Sequence, residues 1–163
     1  MTPDQFQGSW AEFDRSRTYR YSLGRVWDPA KPRVAFVMLN PSVADLDQLD
    51  PTVRRCVGFA KDWGYGSLEV GNLFAIRSTD PVALYQLHPE PIGWSNDAAL
   101  LRIQRRSKEV IVAWGNHGWH LGRGDAVLDL LRANGPVRCL GYTKQGQPAH
   151  PLYLKATTER RPL

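Results

Sequence analysis

The sequence predicts an α/β fold, a three-layer α/β/α sandwich around a mainly parallel, four-stranded central sheet. Two observations carry that expectation. Four short, nearly continuous apolar runs have the character of strands buried on both faces, Val34 to Leu39, Leu68 to Phe74, Val110 to Trp114 and Val137 to Tyr142. Between them lie segments of helical periodicity bounded by caps, and such alternation implies right-handed crossovers with helices on both faces of the sheet.

The elements follow in chain order. Residues 18–27, TYRYSLGRVW, alternate as an edge strand does, and Asp28 through Pro32 break it with two prolines. The first central strand ends at Asn40-Pro41. Asp50-Pro51 then offers an N-cap with proline at the first helical position. Val53, Val57, Ala60 and Trp63 recur at helical spacing before Gly64, which predicts a helix over 51–63. After the second strand, Thr79-Asp80-Pro81 starts a short helix through Leu87, and Ser95 caps a longer one to about Ser107. Gly122 to Ala133 carries Val127, Leu128 and Leu131 on one face and stops at Asn134-Gly135. There is no internal repeat and no linker, so residues 1–163 are expected to form one domain, and a monomer.

Composition narrows the function classes. No apolar run approaches the roughly 20 residues of a membrane helix, and MTPDQFQGSW has neither segment of a signal peptide, which points to the cytoplasm. Cys56 and Cys139 belong to no paired metal spacing and read as reduced and structural. His117 and His120 lie three apart, but no carboxylate or cysteine cluster completes a coordination sphere, so neither metal nor other cofactor is expected. Twenty-one Lys and Arg against sixteen Asp and Glu give a net charge of +5, which favours a polyanionic partner, and six Trp offer stacking surfaces for unpaired bases.

In parallel α/β sheets ligands bind where loops leave the carboxyl ends of the strands. Four such loops are expected here: Asn40 to Asp50, Asn72 to Asp80, Gly115 to Gly124 and Thr143 to Leu154. Asn40 stands at a strand end, followed by Pro41 and Ser42, whose hydroxyl can meet a phosphate or a water. Asn-Pro also starts turns readily, and Asp45 and Asp47 serve equally as caps or solvated acids. Asn72 lies within an apolar strand, where an amide must be hydrogen-bonded or face a ligand. Its paired donor and acceptor match the edge of a uracil-like base. Phe74 is a nearby stacking surface or a core residue. His150, with Lys144 in the same loop, can donate to a developing oxyanion.

Taken in order, these segments resemble the uracil-DNA glycosylase superfamily across about residues 33–154. Asn40-Pro41-Ser42 is similar to the Asn-Pro-Gly motif of the mismatch-specific uracil and thymine glycosylases. Asn72 stands where the superfamily has a base-reading Asn. IVAWGNH, Ile111 to His117, resembles its third strand, and His150-Pro151 its last motif before a leucine wedge. Ser42 replaces the expected Gly, Leu152 replaces the Ser after His-Pro, and the water-activating Asp of the most active enzymes is absent. The whole chain is closer still to a small bacterial family of unknown function with MLNPS and DPT-RR signatures.

The resemblance implies a uracil-DNA glycosylase-like fold and hydrolysis of an N-glycosidic bond to a deaminated or modified base in DNA, as in repair, after the nucleotide is flipped out of the duplex. It gives Asn40 the attacking water, with Asp45 as helper, His150 the charge on the departing base, and Asn72 the base edge. Ser42, Arg77 and Lys144 are phosphate candidates, while Arg54 and Arg55 are phosphate contacts or simply a solvated helix face. Two alternatives stay open: a non-catalytic nucleobase or nucleic-acid binding protein, and an enzyme acting on free nucleosides or nucleotides.

Overall fold

The computed structural model describes residues 6–42 and 50–163. Seven strands form one sheet: β1 (Gly8–Phe13), β2 (Arg20–Val26), β3 (Arg33–Met38), β4 (Ser67–Asn72), β5 (Glu109–Val112), β6 (Val137–Cys139) and β7 (Arg161–Pro162). Three α-helices accompany it, α1 (Pro51–Asp62), α2 (Asn96–Arg105) and α3 (Arg123–Arg132). The spatial order is β1-β2-β4-β3-β5-β6-β7.

This arrangement corrects the expected four-stranded, mainly parallel, glycosylase-like sheet. The sheet is seven-stranded and mixed. The pairings β4·β3, β3·β5 and β5·β6 are parallel, and β1·β2, β2·β4 and β6·β7 are antiparallel. β2 falls within the expected strand 18–27; the two strands the sequence did not announce, β1 and β7, were hidden for a physical reason. β1 is mostly half-exposed and β7 exposed, so neither carries the apolar run that marks a doubly buried strand. Their pairing is long-range and leaves little local pattern. β2 is also not an edge, because β1 covers it on one side and β4 pairs with it on the other.

The alternation within β3 divides the core in two. Val34, Phe36 and Met38 join Leu68 and Val70 of β4 against Val53, Cys56, Val57 and Ala60 of α1. Ala35 and Val37 face the other way, with Val110 and Val112 of β5, against Leu100 and Ile103 of α2 and Val127 and Leu131 of α3. Period-two side chains on a strand with a helix on either face require this division. Cys56 and Cys139 are both free and buried.

The caps explain where the helices begin. Asp50 stays extended (φ −66°, ψ 159°), and its carboxylate accepts from the Val53 amide at 2.8 Å with Pro51 next in the chain. α1 stops before Gly64, whose φ of +87° is left-handed. Ser95 makes no side-chain cap bond, contrary to expectation, and α3 begins after Gly122 with no side-chain cap either. The short helix expected after Asp80 is a 3₁₀ turn, Pro81–Tyr85, and β6 ends at Cys139 rather than reaching Tyr142. Among the described residues no helix is long and apolar enough to cross a membrane.

Gly66 joins α1 to β4. Its amide donates to the Pro32 carbonyl, and its own carbonyl accepts from Trp27 and Asp28 at 3.0 and 2.9 Å. A methyl group there would lie 1.8 Å from the Asp28 carbonyl oxygen, which is backbone and cannot turn aside. Gly66→Ala is therefore expected to lower stability by about 1–3 kcal/mol or more, measured as a fall in the urea unfolding midpoint. An unchanged midpoint would show that this junction is looser than described.

Candidate functional site

The carboxyl ends of β3 and β4 open into a cavity of about 240 Å³ on the α1 side of the sheet. Met38, Leu39, Val53 and Val70 supply its apolar walls, and Arg20, Asn40, Ser42, Asp50, Thr52, Asn72 and His150 its polar ones, with Pro41 and Pro51 completing the lining. The volume lies just under the roughly 300–1,000 Å³ of drug-sized ligand pockets. It suits a small planar ring.

Each polar side chain has a local cause. Met38, Val70 and Asn72 face the cavity because alternate residues of paired strands share a face and Met38 lies opposite Asn72 in the parallel register. Asn72 is 3% exposed, and its side-chain amide makes no hydrogen bond among the described residues. Its polar atoms are not among those sealed away without a partner; they remain reachable from the cavity. The cavity is the space from which a partner can come.

Asn40 is held differently. Its amide nitrogen donates to the carbonyls of Ser78 at 2.9 Å, Pro41 at 3.2 Å and Ile76 at 3.5 Å. Three carbonyl partners fix which end of the amide is nitrogen, and they leave the oxygen free of any partner among the described residues. The same contacts, with the Ser78 amide on the Pro41 carbonyl, tie the loop after β3 to the loop after β4.

His150 sits in a loop fastened from several sides. Gly115 donates to the Pro148 carbonyl, Ala149 to Gly141, and the Trp114 indole to the Gln147 side chain at 2.9 Å. The His150 Nδ1 accepts from the Leu152 amide at 3.3 Å, which assigns the ring hydrogen to Nε2. Burial pushes the imidazole below its ordinary 6.5, with the charge of Asp50 working against it. At neutral pH the ring is thus an uncharged donor.

Asp50 is the residue whose site role the sequence concealed. One carboxylate oxygen caps α1 and the other accepts from the Ser42 hydroxyl at 3.2 Å, so Asp50-Pro51 was legible only as a helix start. Arg20, 5% exposed, is the second such residue. Burial lowers its guanidinium to about 10 while Asp50 opposes the shift, so it stays charged at neutral pH. A strand arginine in an alternating segment gives no hint that it faces a cavity.

The structure brings Asn40, Ser42, Asn72 and His150 together. It does not bring Phe74, Arg77 or Lys144 to them. Phe74 is fully buried in the other core, 5.8 Å from the His120 ring. Arg77 donates to the Arg17 carbonyl and stacks on Phe13 at 5.0 Å, and Lys144 is exposed on the turn of its loop. Asp45 and Asp47 lie outside the described residues. His117 Nδ1 lies 2.7 Å from the Tyr85 hydroxyl and His120 Nε2 the same distance from the Leu84 carbonyl. Among the described residues no group of three or more His, Cys, Asp or Glu side chains is arranged to hold a metal.

A mixed α/β domain with a polar cavity at its strand ends is the class this geometry defines. Over residues 20–152 the chain matches the model of DUF1643, described as a protein of unknown function, and it belongs to that family. No curated protein and no solved structure matches it.

Two tests follow from this geometry. A methyl at Gly118 would lie 2.1 Å from the buried Trp114 ring, so Gly118→Ala should destabilise the protein by about 1–3 kcal/mol. Thermal melts of variant and parent at neutral pH check it, and a melt equal to the parent's contradicts the packing. The second concerns pH. Because His150 titrates lower folded than unfolded, the unfolded chain binds more protons once pH drops below about 6.5, and stability falls from there through the folded value. His150→Gln should lose less stability than the parent between pH 7 and pH 5 in urea titrations. Parallel curves would mean the imidazole is not desolvated.

Proposed function

We propose that the cavity binds a nucleobase and that the protein is an N-glycosidic hydrolase acting on a deaminated or modified base in DNA. The observation that carries this reading is the nearly buried Asn72 amide, without a hydrogen bond among the described residues and turned to a cavity of base size. Its donor and acceptor pair with the complementary edge of a uracil-like ring. Asn40, anchored through its nitrogen, offers its oxygen to a water. That water attacks the anomeric carbon, the bond to the base breaks, and the base departs with the bonding electrons. The neutral His150 donor meets the negative charge arriving on the base, which then takes a proton from the attacking water.

DNA as the partner is supported by the net charge of +5 and by a second groove beside the first. Arg54 and Arg55 of α1 line that groove with Leu152, and Pro51 borders both. Leu152 and Tyr153 form an apolar tip next to His150, with Tyr153 86% exposed. Phosphate contacts from arginines fix register, and the tip suits a gap left by an extruded nucleotide. One observation favours the non-catalytic alternative. Asp50 is the one carboxylate among the described cavity residues, and its oxygens already accept from the Ser42 hydroxyl and the Val53 amide, which commits it to the helix cap rather than to a water.

Oligonucleotides carrying uracil, hypoxanthine or a mismatch test the proposal, because only a glycosylase leaves alkali-labile abasic sites. Cleavage of at least one is expected. Asn40→Ala should lower turnover about 100-fold with base affinity little changed, and Asn72→Asp should alter which base is accepted by about 1–3 kcal/mol. Both variants need thermal melts near the parent's. If a folded Asn40→Ala cleaves as fast as the parent, or the parent cleaves no lesion, the catalytic assignment fails, and base binding without cleavage supports the alternative.

A further inference from the structure

We propose that Asn96 and Arg123 are positioning residues that aim the Asn72 amide into the cavity; the proposal rests on the reading of Asn72 as the base-contacting group. They approach the end of β4 from the α2 and α3 side. Asn96 is completely buried, and its amide nitrogen donates to the carbonyls of both Asn72 and Leu73, at 2.9 and 3.0 Å. Arg123, also buried, donates from Nε to the same Leu73 carbonyl at 2.8 Å. Its Nη2 is 2.6 Å from Asp97, which holds the guanidinium across the two helix starts.

These contacts do more than dock helices. The Asn72 carbonyl and side chain share one Cα, so fixing the carbonyl plane fixes the direction of the Cα–Cβ bond. On the other side, the Leu73 amide donates to Met38 at 2.8 Å and continues the ladder to β3. The peptide after Asn72 is thus gripped from both sides, which fixes the direction in which the side chain leaves the strand, while burial restricts the rotamers left to the amide. The clamp also carries a local cost. Asn96 Oδ1 is buried without a hydrogen bond among the described residues, as is Gln104 Oε1, so what sets the clamp apart is its contacts to the Asn72 and Leu73 carbonyls. Supporting side chains of this sort hold a binding group within the narrow tolerance that recognition needs.

A comparison bond separates positioning from plain stability. Gln104 of α2 donates to the Leu131 carbonyl of α3 at 2.8 Å, also buried, and makes no hydrogen bond to β4 among the described residues. The experiment follows the Asn72 side-chain amide by NMR in asparagine-labelled full-length protein, for the parent, Arg123→Lys, Asn96→Ser and Gln104→Ala, with and without free uracil. Arg123→Lys keeps the charge for Asp97 and removes the fixed Nε donor.

Without ligand, the Asn72 resonance should be sharp in the parent and in Gln104→Ala. It should shift and broaden in Arg123→Lys and Asn96→Ser, even where Gln104→Ala melts at as low a temperature. With uracil, the two clamp variants should bind about tenfold more weakly than the parent. If either clamp variant folds and keeps the parent's Asn72 signal, or if Gln104→Ala moves that signal equally, positioning is overturned. Should the parent itself not respond to uracil, the reading of the site fails, and the ligand-free spectra still decide whether the clamp orients Asn72.

Discussion

Burial of β3 on both faces is the constraint on which the rest of the structure depends. A strand at the centre of the sheet, paired in parallel to β4 and β5, has no face left for water, so its side chains divide between α1 on one side and α2 with α3 on the other. That division fixes the direction in which the chain leaves the strand, and Asn40 emerges at the cavity rim. The parallel register then places Asn72 across from Met38. Two asparagines far apart in sequence meet because one strand is packed twice.

The cavity joins groups held by opposite strategies. Asn40 is anchored through its own side chain to three carbonyls, while Asn72 has no side-chain bond among the described residues and leaves the strand from a backbone clamped beneath it. His150 is fixed through Nδ1, leaving Nε2 to donate. Asp50 sits among them as a helix cap and Ser42 acceptor, and its charge partly offsets the burial that lowers both His150 and Arg20. Asn40, Asn72 and His150 are thus held by different contacts. A site built this way recognises shape and hydrogen-bond pattern with little rearrangement.

Much of the site was legible because polar residues interrupt apolar runs at strand ends. Asn72 inside VGNLF and Asn40 at the close of AFVMLN stand out by that contrast. Phe74 and Arg77 follow in the same segment, yet β4 ends at Asn72 and the bend after it breaks the alternation, carrying Phe74 into the second core and Arg77 onto Phe13. Asp50 was visible as a cap, and nothing in the sequence says that a cap also borders a cavity. The central strands announced themselves by apolar content. β1 and β7 did not, because half-exposed and exposed edge strands depend on pairing with distant partners rather than on their own pattern.

The central claim is that the Asn72 amide is turned to the cavity to receive the edge of a base. A crystal structure of the protein soaked with uracil tests it most directly. The account predicts the ring in the cavity between the β3 and β4 ends, its edge hydrogen-bonded to the Asn72 amide and a carbonyl oxygen of the ring within reach of His150 Nε2. An empty cavity at saturating uracil, with the Asn72 amide bonded instead to the protein's own backbone, would contradict it.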